Sequence, residues 1–317
     1  KREFSQAQQQ AEISLRFEPR NIQAAIILGQ SYLFSQHEDK ALDIFEQMNR
    51  LLPENLEILY NLALTRIARK EKIEAMFLLE KILVLQPEYT PPLAQIVGIQ
   101  LRDNKPQEAF LRVSSQLEKA PDILGNLLLL GDLLYTDGSL AQAAKIFQKI
   151  KLLAPMEPRS YIMLAKIEKN NDNLNEAIAE YRKLIEIQPD SIQALMGLAV
   201  LLEQAGELTE AKDVYRKLLQ RDGHFAPAAN NLSWLLAREE NPDLGEALRL
   251  AQIAKESQPR SPYLSDTLGY IFYLRRSYHL ATSQFMDAIS VLPHLPTLRF
   301  HLALSLKAQG DDIEALK

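Results

Sequence analysis

The chain has 317 residues, 47% of them hydrophobic and 24% charged, with a formal net charge of −5. Lysine and arginine are spread along the whole length, which excludes the clustered basic footprint of a nucleic-acid binder. No cysteine is present, so disulfides, thiolate metal sites and cysteine nucleophiles are excluded. A chain this long is large for one compact core and calls for two domains or an elongated array.

The organising signal is a period of 34 residues. Prolines stand at 19, 53, 87, 121, 155 and 189; Gly223 takes the next place, and after a two-residue insertion the series resumes at Pro259 and Pro293. With these as position 32, position 20 is alanine throughout, from Ala7, Ala41 and Ala75 to Ala281 and Ala315. Position 8 is small in most repeats (Gly29, Ala63, Gly131, Ala165, Ala199, Ser233, Gly269, Ala303), and position 24 is often aromatic (Phe45, Phe147, Tyr181, Tyr215, Phe285).

In chain order, residues 1–21 read as the second helix of a preceding repeat. Repeats follow at 22–55, 56–89, 90–123, 124–157, 158–191, 192–225, 226–261 and 262–295, and 296–317 is an incomplete one. Each half-repeat places apolar residues at three- and four-residue spacing, the mark of one buried helix face. Small residues at positions 8 and 20 allow close backbone approach, with the ring at position 24 filling the space beside them. Polar segments such as EKNNDNLNEA (168–177) turn between the helices, and the proline ends the second helix. No strand-like alternation persists, so the fold class is all-α.

Two repeats depart from the pattern. The third carries Val97 at position 8, Val113 at position 24 and the polar Gln116 where an apolar residue is usual. Drift explains this, and so does a hinge. The seventh holds the insertion within AREENPDLGEA (237–247), which places Pro242 in a lengthened turn.

This pattern resembles the tetratricopeptide repeat family, a 34-residue helix–turn–helix with the same small, aromatic and proline positions. The resemblance covers essentially the whole chain and implies a right-handed α-solenoid, a superhelix of about eight to nine repeats in a single array over 1–317. It also implies that the first helices line a concave groove, with positions 2, 5, 9, 12 and 13 facing into it.

No chemistry competes with a binding role. The phosphate-binding glycine loops, the GxSxG elbow and HExxH are all missing from the sequence. His37, His224, His279, His294 and His301 lack ligand spacing, and Asp311 and Asp312 fall in a turn phase. The sequon Asn231-Leu232-Ser233 lies inside a helix. No enzyme, metal or cofactor is expected.

The groove positions instead give Tyr60, Met196, Asn230 and Asp266 at position 5, with Asn231 at position 6. Position 9 gives Lys166, Trp234 and Tyr270, and position 12 gives Tyr135 and Tyr273. With Tyr263, the last of these form an aromatic cluster towards the C-terminus. Large rigid rings on such a surface are anchors for a protein, a peptide or a sugar polymer. Stacking between neighbouring repeats is the rival role. The family's clamp for a C-terminal carboxylate needs Lys at position 5 with Asn at position 9, and no repeat has that pair.

The closing stretch, from NNLSWLLA through SDTLGYIFYLRRSYHLATSQFMDAI, also resembles bacterial repeat proteins of exopolysaccharide export and of exosortase sorting systems, often envelope lipoproteins. The expectation is a non-catalytic scaffold that binds partner proteins or peptides in its groove, within a bacterial periplasmic or envelope assembly. The alternatives are a direct polysaccharide binder and the recognition arm of an enzyme whose catalytic domain lies elsewhere. The opening at Lys1, inside a helical pattern and without a charged-then-apolar leader, reads as a fragment whose address label is missing, and a cytoplasmic site stays open. The most apolar stretch, LGNLLLLGDLLY (124–135), is too short to span a bilayer and is broken by Asp132.

Overall fold

A computed structural model describes residues 2–311 and residue 315. The chain folds as two compact units, Lys1–Glu157 and Pro158–Lys317. The first holds α1 (Arg2–Phe17), α2 (Ile22–Phe34), α3 (Glu38–Leu51), α4 (Leu56–Ala68), α5 (Lys72–Leu85), α6 (Thr90–Arg102), α7 (Pro106–Lys119), α8 (Leu124–Thr136) and α9 (Leu140–Leu153). The second holds α10 (Pro158–Asn170), α11 (Leu174–Ile187), α12 (Ile192–Ala205), α13 (Leu208–Arg221), α14 (Ala226–Ala237), α15 (Leu244–Ser257), α16 (Pro262–Leu274), α17 (Tyr278–Val291) and α18 (Pro296–Gln309). Among the described residues the structure is all-helical. None of these helices is long and apolar enough to cross a membrane.

The helix limits follow the local chemistry. Each second helix that runs into one of the periodic prolines stops two residues before it, as α3 ends at Leu51 ahead of Pro53 and α17 at Val291 ahead of Pro293, and α13 stops likewise at Arg221 ahead of Gly223. The residue two places after the proline then caps the next helix, where a side chain allows. Asn21 accepts from the Ala24 N–H at 2.9 Å, Asn55 from Ile58 at 3.0 Å and Ser191 from Ala194 at 3.2 Å. The turn within each ordinary repeat closes through a left-handed residue at position 15. Gly138, Gly206 and Gly310 take it freely, whereas Gln36, Lys70, Asn104, Asp172 and Arg276 adopt it against their preference.

Packing within a repeat rests on ring against glycine. A Cβ on Gly29 would stand 2.3 Å from Phe45 Cζ, and one on Gly131 or Gly269 would stand 2.7 Å from Phe147 or Phe285. The three phenylalanines are fully or almost fully buried, as are Ala41, Ala143 and Ala281 at position 20. Bare backbone thus admits the ring, and the ring fills the volume between the two helices.

The third repeat replaces ring and glycine by Val113 and Val97, both buried. Its polar Gln116 is buried too, and it is satisfied. Arg112 grips Glu80 of α5 through Nε and Nη2, each at 2.8 Å, and donates from Nη1 to Gln116 Oε1 at 2.9 Å. Gln116 Nε2 in turn donates to the Pro87 carbonyl. The sequence departure is therefore compensated by a polar tie between α5, α7 and the turn ahead of α6.

In the seventh repeat, residues 238–243 separate α14 from α15, where residues 35–37 suffice between α2 and α3. Pro242 lies in that turn, and Asp243 closes it by accepting from the N–H groups of Gly245 and Glu246 at 3.0 and 2.9 Å. Ser233 of the sequon is fully buried in α14. Asp311 is exposed, and Asp312 lies outside the described residues.

Candidate groove site

Within each unit, first helices of successive repeats come together: α2 on α4 and α6 on α8 in the first, α14 on α16 and α16 on α18 in the second. This is the face on which the candidate residues stand. In the second unit several of them meet. Trp234 and Tyr270 lie with ring centroids 5.1 Å apart and planes at 50°. Tyr270 stacks on Tyr273 at 6.4 Å and 24°, and Tyr273 meets Tyr278 at 5.7 Å. The guanidinium of Arg238, one turn beyond Trp234, sits 5.1 Å from the indole centroid.

The ladder continues through His301, 5.4 Å from Tyr270, 5.5 Å from Phe285 and 6.1 Å from Phe300. His301 is buried and its Nδ1 lies 2.7 Å from Asp266 Oδ1, so α16 and α18 are pinned together where the rings end. Trp234, Tyr270 and Tyr273 are each half-buried, and Phe300 and Tyr263 are exposed. The rings stack between repeats and also keep accessible surface. Sequence reasoning missed Arg238, Tyr278 and His301 as members of this cluster. Position 13, one of the inward positions, was the signal for Arg238; nothing in the spacing singled out His301.

The paired asparagines belong to a polar chain beside the ladder. Asn230 Nδ2 donates to Asn231 Oδ1 at 3.2 Å, and Asn231 Nδ2 donates to the Tyr215 hydroxyl at 3.0 Å. Tyr215 donates to Glu203 Oε2 at 3.1 Å. Burial pushes the Tyr215 phenol well above the usual tyrosine range, and the nearby Glu203 carboxylate adds to the shift. Asn230 Oδ1 is buried without a hydrogen-bond partner.

The other candidates do not join this cluster. Lys166 is exposed on α10, and Met196 packs half-buried against the core of the second unit. Tyr60 and Tyr135 belong to the first unit. Tyr60 meets Tyr89 edge-on at 6.0 Å and accepts from Gln95 Nε2 at 3.4 Å, whereas Tyr135 is half-buried on α8. No group of three or more His, Asp or Glu side chains is placed to hold a metal among the described residues.

A family model described as tetratricopeptide repeat matches residues 171–238, from the turn of the fifth repeat to the end of α14. No curated protein matches the chain in sequence. Among solved structures, a tetratricopeptide repeat protein from Parabacteroides merdae is 17% identical, covering 79% of this chain and 98% of its own, with a TM-score of 0.51. A chain of the APC/C hetero-tetramer Cut9-Hcn1 is 15% identical over 93% of this chain and 59% of its own, at 0.53. YrrB, a TPR protein with an unusual peptide-binding site, aligns at 16% identity over 62% and 97%, at 0.49. Residues 171–238 thus carry tetratricopeptide repeat sequence, and the chain has the all-helical fold of that repeat.

Proposed function

We propose that the chain is a non-catalytic scaffold that holds a partner protein on its first-helix face, anchored in the second unit by Trp234, Tyr270 and Tyr273. The single observation that carries this is the half-buried ring ladder. Its rings fix one another in place, so little freedom is lost when a partner covers what remains exposed. Tyr263, exposed at the start of α16, and the polar pair Asn230 and Asn231 flank it. A hetero-tetramer chain of the same fold, Cut9-Hcn1, is at home in a multi-protein assembly. The finer assignment, to a bacterial envelope assembly such as exopolysaccharide export, rests on the sequence resemblance of the closing repeats.

The test is capture from an envelope extract by the immobilised chain and by the Trp234→Ala/Tyr270→Ala variant. The wild type is expected to retain a protein that the variant loses, with equal helical content by circular dichroism. Identical capture, or a variant that unfolds, would assign the ladder to packing alone. Retention of polysaccharide in place of protein would replace the scaffold by a direct polymer binder.

A further inference from the structure

The second helices show one side to solvent, and in most repeats that side is polar. α5 departs from this. Position 18 is Ile73 where other repeats carry Asp39, Asn175 or His279, and position 22 is Phe77 where they carry Asp43, Lys145 or Arg249. Ile73 and Phe77 are 83% and 71% exposed, and Val84, two turns beyond Phe77, is 78% exposed. Ala75, Leu79 and Ile82 fill the core from the opposite face. α5 is therefore apolar all round, the pattern of a helix covered on both sides.

Elsewhere, second helices of successive repeats are tied by ion pairs. Arg182 of α11 meets Glu210 of α13 at 2.8 Å, and Arg216 of α13 reaches Glu246 of α15 at 3.8 Å. Both pairs join position 25 to position 19 of the next repeat. In α3 and α5 those positions hold two carboxylates, Glu46 and Glu74. Glu46 turns away to Arg66 of α4, and among the described residues no hydrogen bond or ion pair joins α3 to α5. A groove of about 510 Å³ lies between them, lined by Asn49 and Arg50 of α3, Leu62 of α4, and Ile73, Glu74 and Phe77 of α5. Arg66 at its floor is held by Glu46 and Glu71. Further along α5, Glu80 is held by Arg112, and Lys81 donates to the Pro53 carbonyl at 2.9 Å. Asp43 is free but does not line the groove. Arg50 and Glu74 are the groove's two unpaired charges, and they are of opposite sign.

We propose that this face is the contact between two copies of the chain, joined about a two-fold axis that runs through the groove. An axis normal to the face and midway between Arg50 and Glu74 exchanges their places, so Arg50 of each copy meets Glu74 of the other. Ile73 and Phe77 pack on their counterparts near the axis and supply the affinity, while the two charge pairs fix the register. A second copy is the occupant because the surface is complementary to itself, with a free acid and a free base flanking one apolar patch. A face of this size makes a weak dimer.

Sedimentation equilibrium of the full chain, from low micromolar to near-millimolar concentration, reads the assembly. The mass is expected to climb from 36.0 kDa towards twice that value. Phe77→Asp, Arg50→Glu and Glu74→Arg should each weaken self-association at least tenfold with unchanged circular dichroism, since every substitution acts twice in a two-fold dimer. Arg50→Glu mixed with Glu74→Arg should associate again, because each acid then faces a base. The two reversals combined in one chain should restore self-association in the same way. A chain that stays monomeric throughout overturns the inference and leaves the groove to a different protein. Single variants that dimerise undiminished, or a mixture that stays apart, overturn it as well. The ring ladder takes no part, so Trp234→Ala/Tyr270→Ala should dimerise as the wild type does. A dimer lost in that variant yet kept by Phe77→Asp would sink the proposed face.

Discussion

Trp234 is held between Tyr270 of the next repeat, at 5.1 Å and 50°, and the guanidinium of Arg238 one turn along its own helix, also at 5.1 Å. One neighbour is supplied by the repeat stack and the other by helical spacing. The indole therefore has a fixed position before any partner arrives.

Removing the cation tests that arrangement. A cation over an aromatic face at a partly exposed site is worth about 0.5–1 kcal/mol, so Arg238→Ala should lower stability by that order. Trp234 is the single tryptophan of the chain, which makes its emission a direct report. The variant should emit at longer wavelength as water reaches the uncovered face. An unchanged emission maximum would show that the guanidinium does not cover the indole in solution.

A second contrast concerns two glycines on corresponding helices. Gly29→Ala drives a methyl to 2.3 Å from the Phe45 ring, which is fully buried and cannot retreat without moving α3. Overpacking of this kind costs about 1–3 kcal/mol. Gly98→Ala meets only Nη1 of Arg102, at an ordinary contact distance of 3.5 Å, and gains helix propensity, so it should stabilise by about 0.5–1 kcal/mol. Urea denaturation of the two variants should move the midpoint in opposite directions. A loss of stability on Gly98→Ala would mean that the backbone at Gly98 is packed as closely in solution as that at Gly29.

The fold was legible in the sequence because its determinants are local and repeat in phase. Pro53 or Pro293 halts a helix by its own geometry, and Gly29 with Phe45, or Gly269 with Phe285, declare a close approach through their sizes alone. The site was only half legible. Position in the repeat puts Trp234, Tyr270 and Tyr273 on the same face, but that they meet Arg238, His301 and Tyr278 in turn depends on rotamers that spacing does not encode. Likewise Gln116 looks like an error until Arg112 and the Pro87 carbonyl are seen to satisfy it. The left-handed turn residue was hidden for another reason. Arg276 and Lys70 occupy a backbone conformation that their side chains do not advertise.

The last prediction concerns alkaline pH and Tyr215. Its ring is fully buried, and this burial, aided by the Glu203 carboxylate to which its hydroxyl donates, holds the phenol proton above the ordinary tyrosine value even though the Asn231 amide donates to the same oxygen and favours the ionised form. A folded-state pKa above the unfolded one contributes stability that is complete below the unfolded value, about 10. That contribution is lost as pH climbs beyond it, because the unfolded chain releases a proton the folded chain retains. At neutral pH, Tyr215→Phe should be less stable by about 1 kcal/mol through the lost hydrogen bonds. Above pH 10 the wild type alone carries the Tyr215 penalty, about 1.4 kcal/mol per pH unit. The gap between the two proteins should therefore shrink and close near pH 11, read by urea denaturation at steps from pH 8 to 11. A gap constant over that range would show that Tyr215 ionises in the folded chain as readily as in the unfolded one, and that burial does not hold its proton.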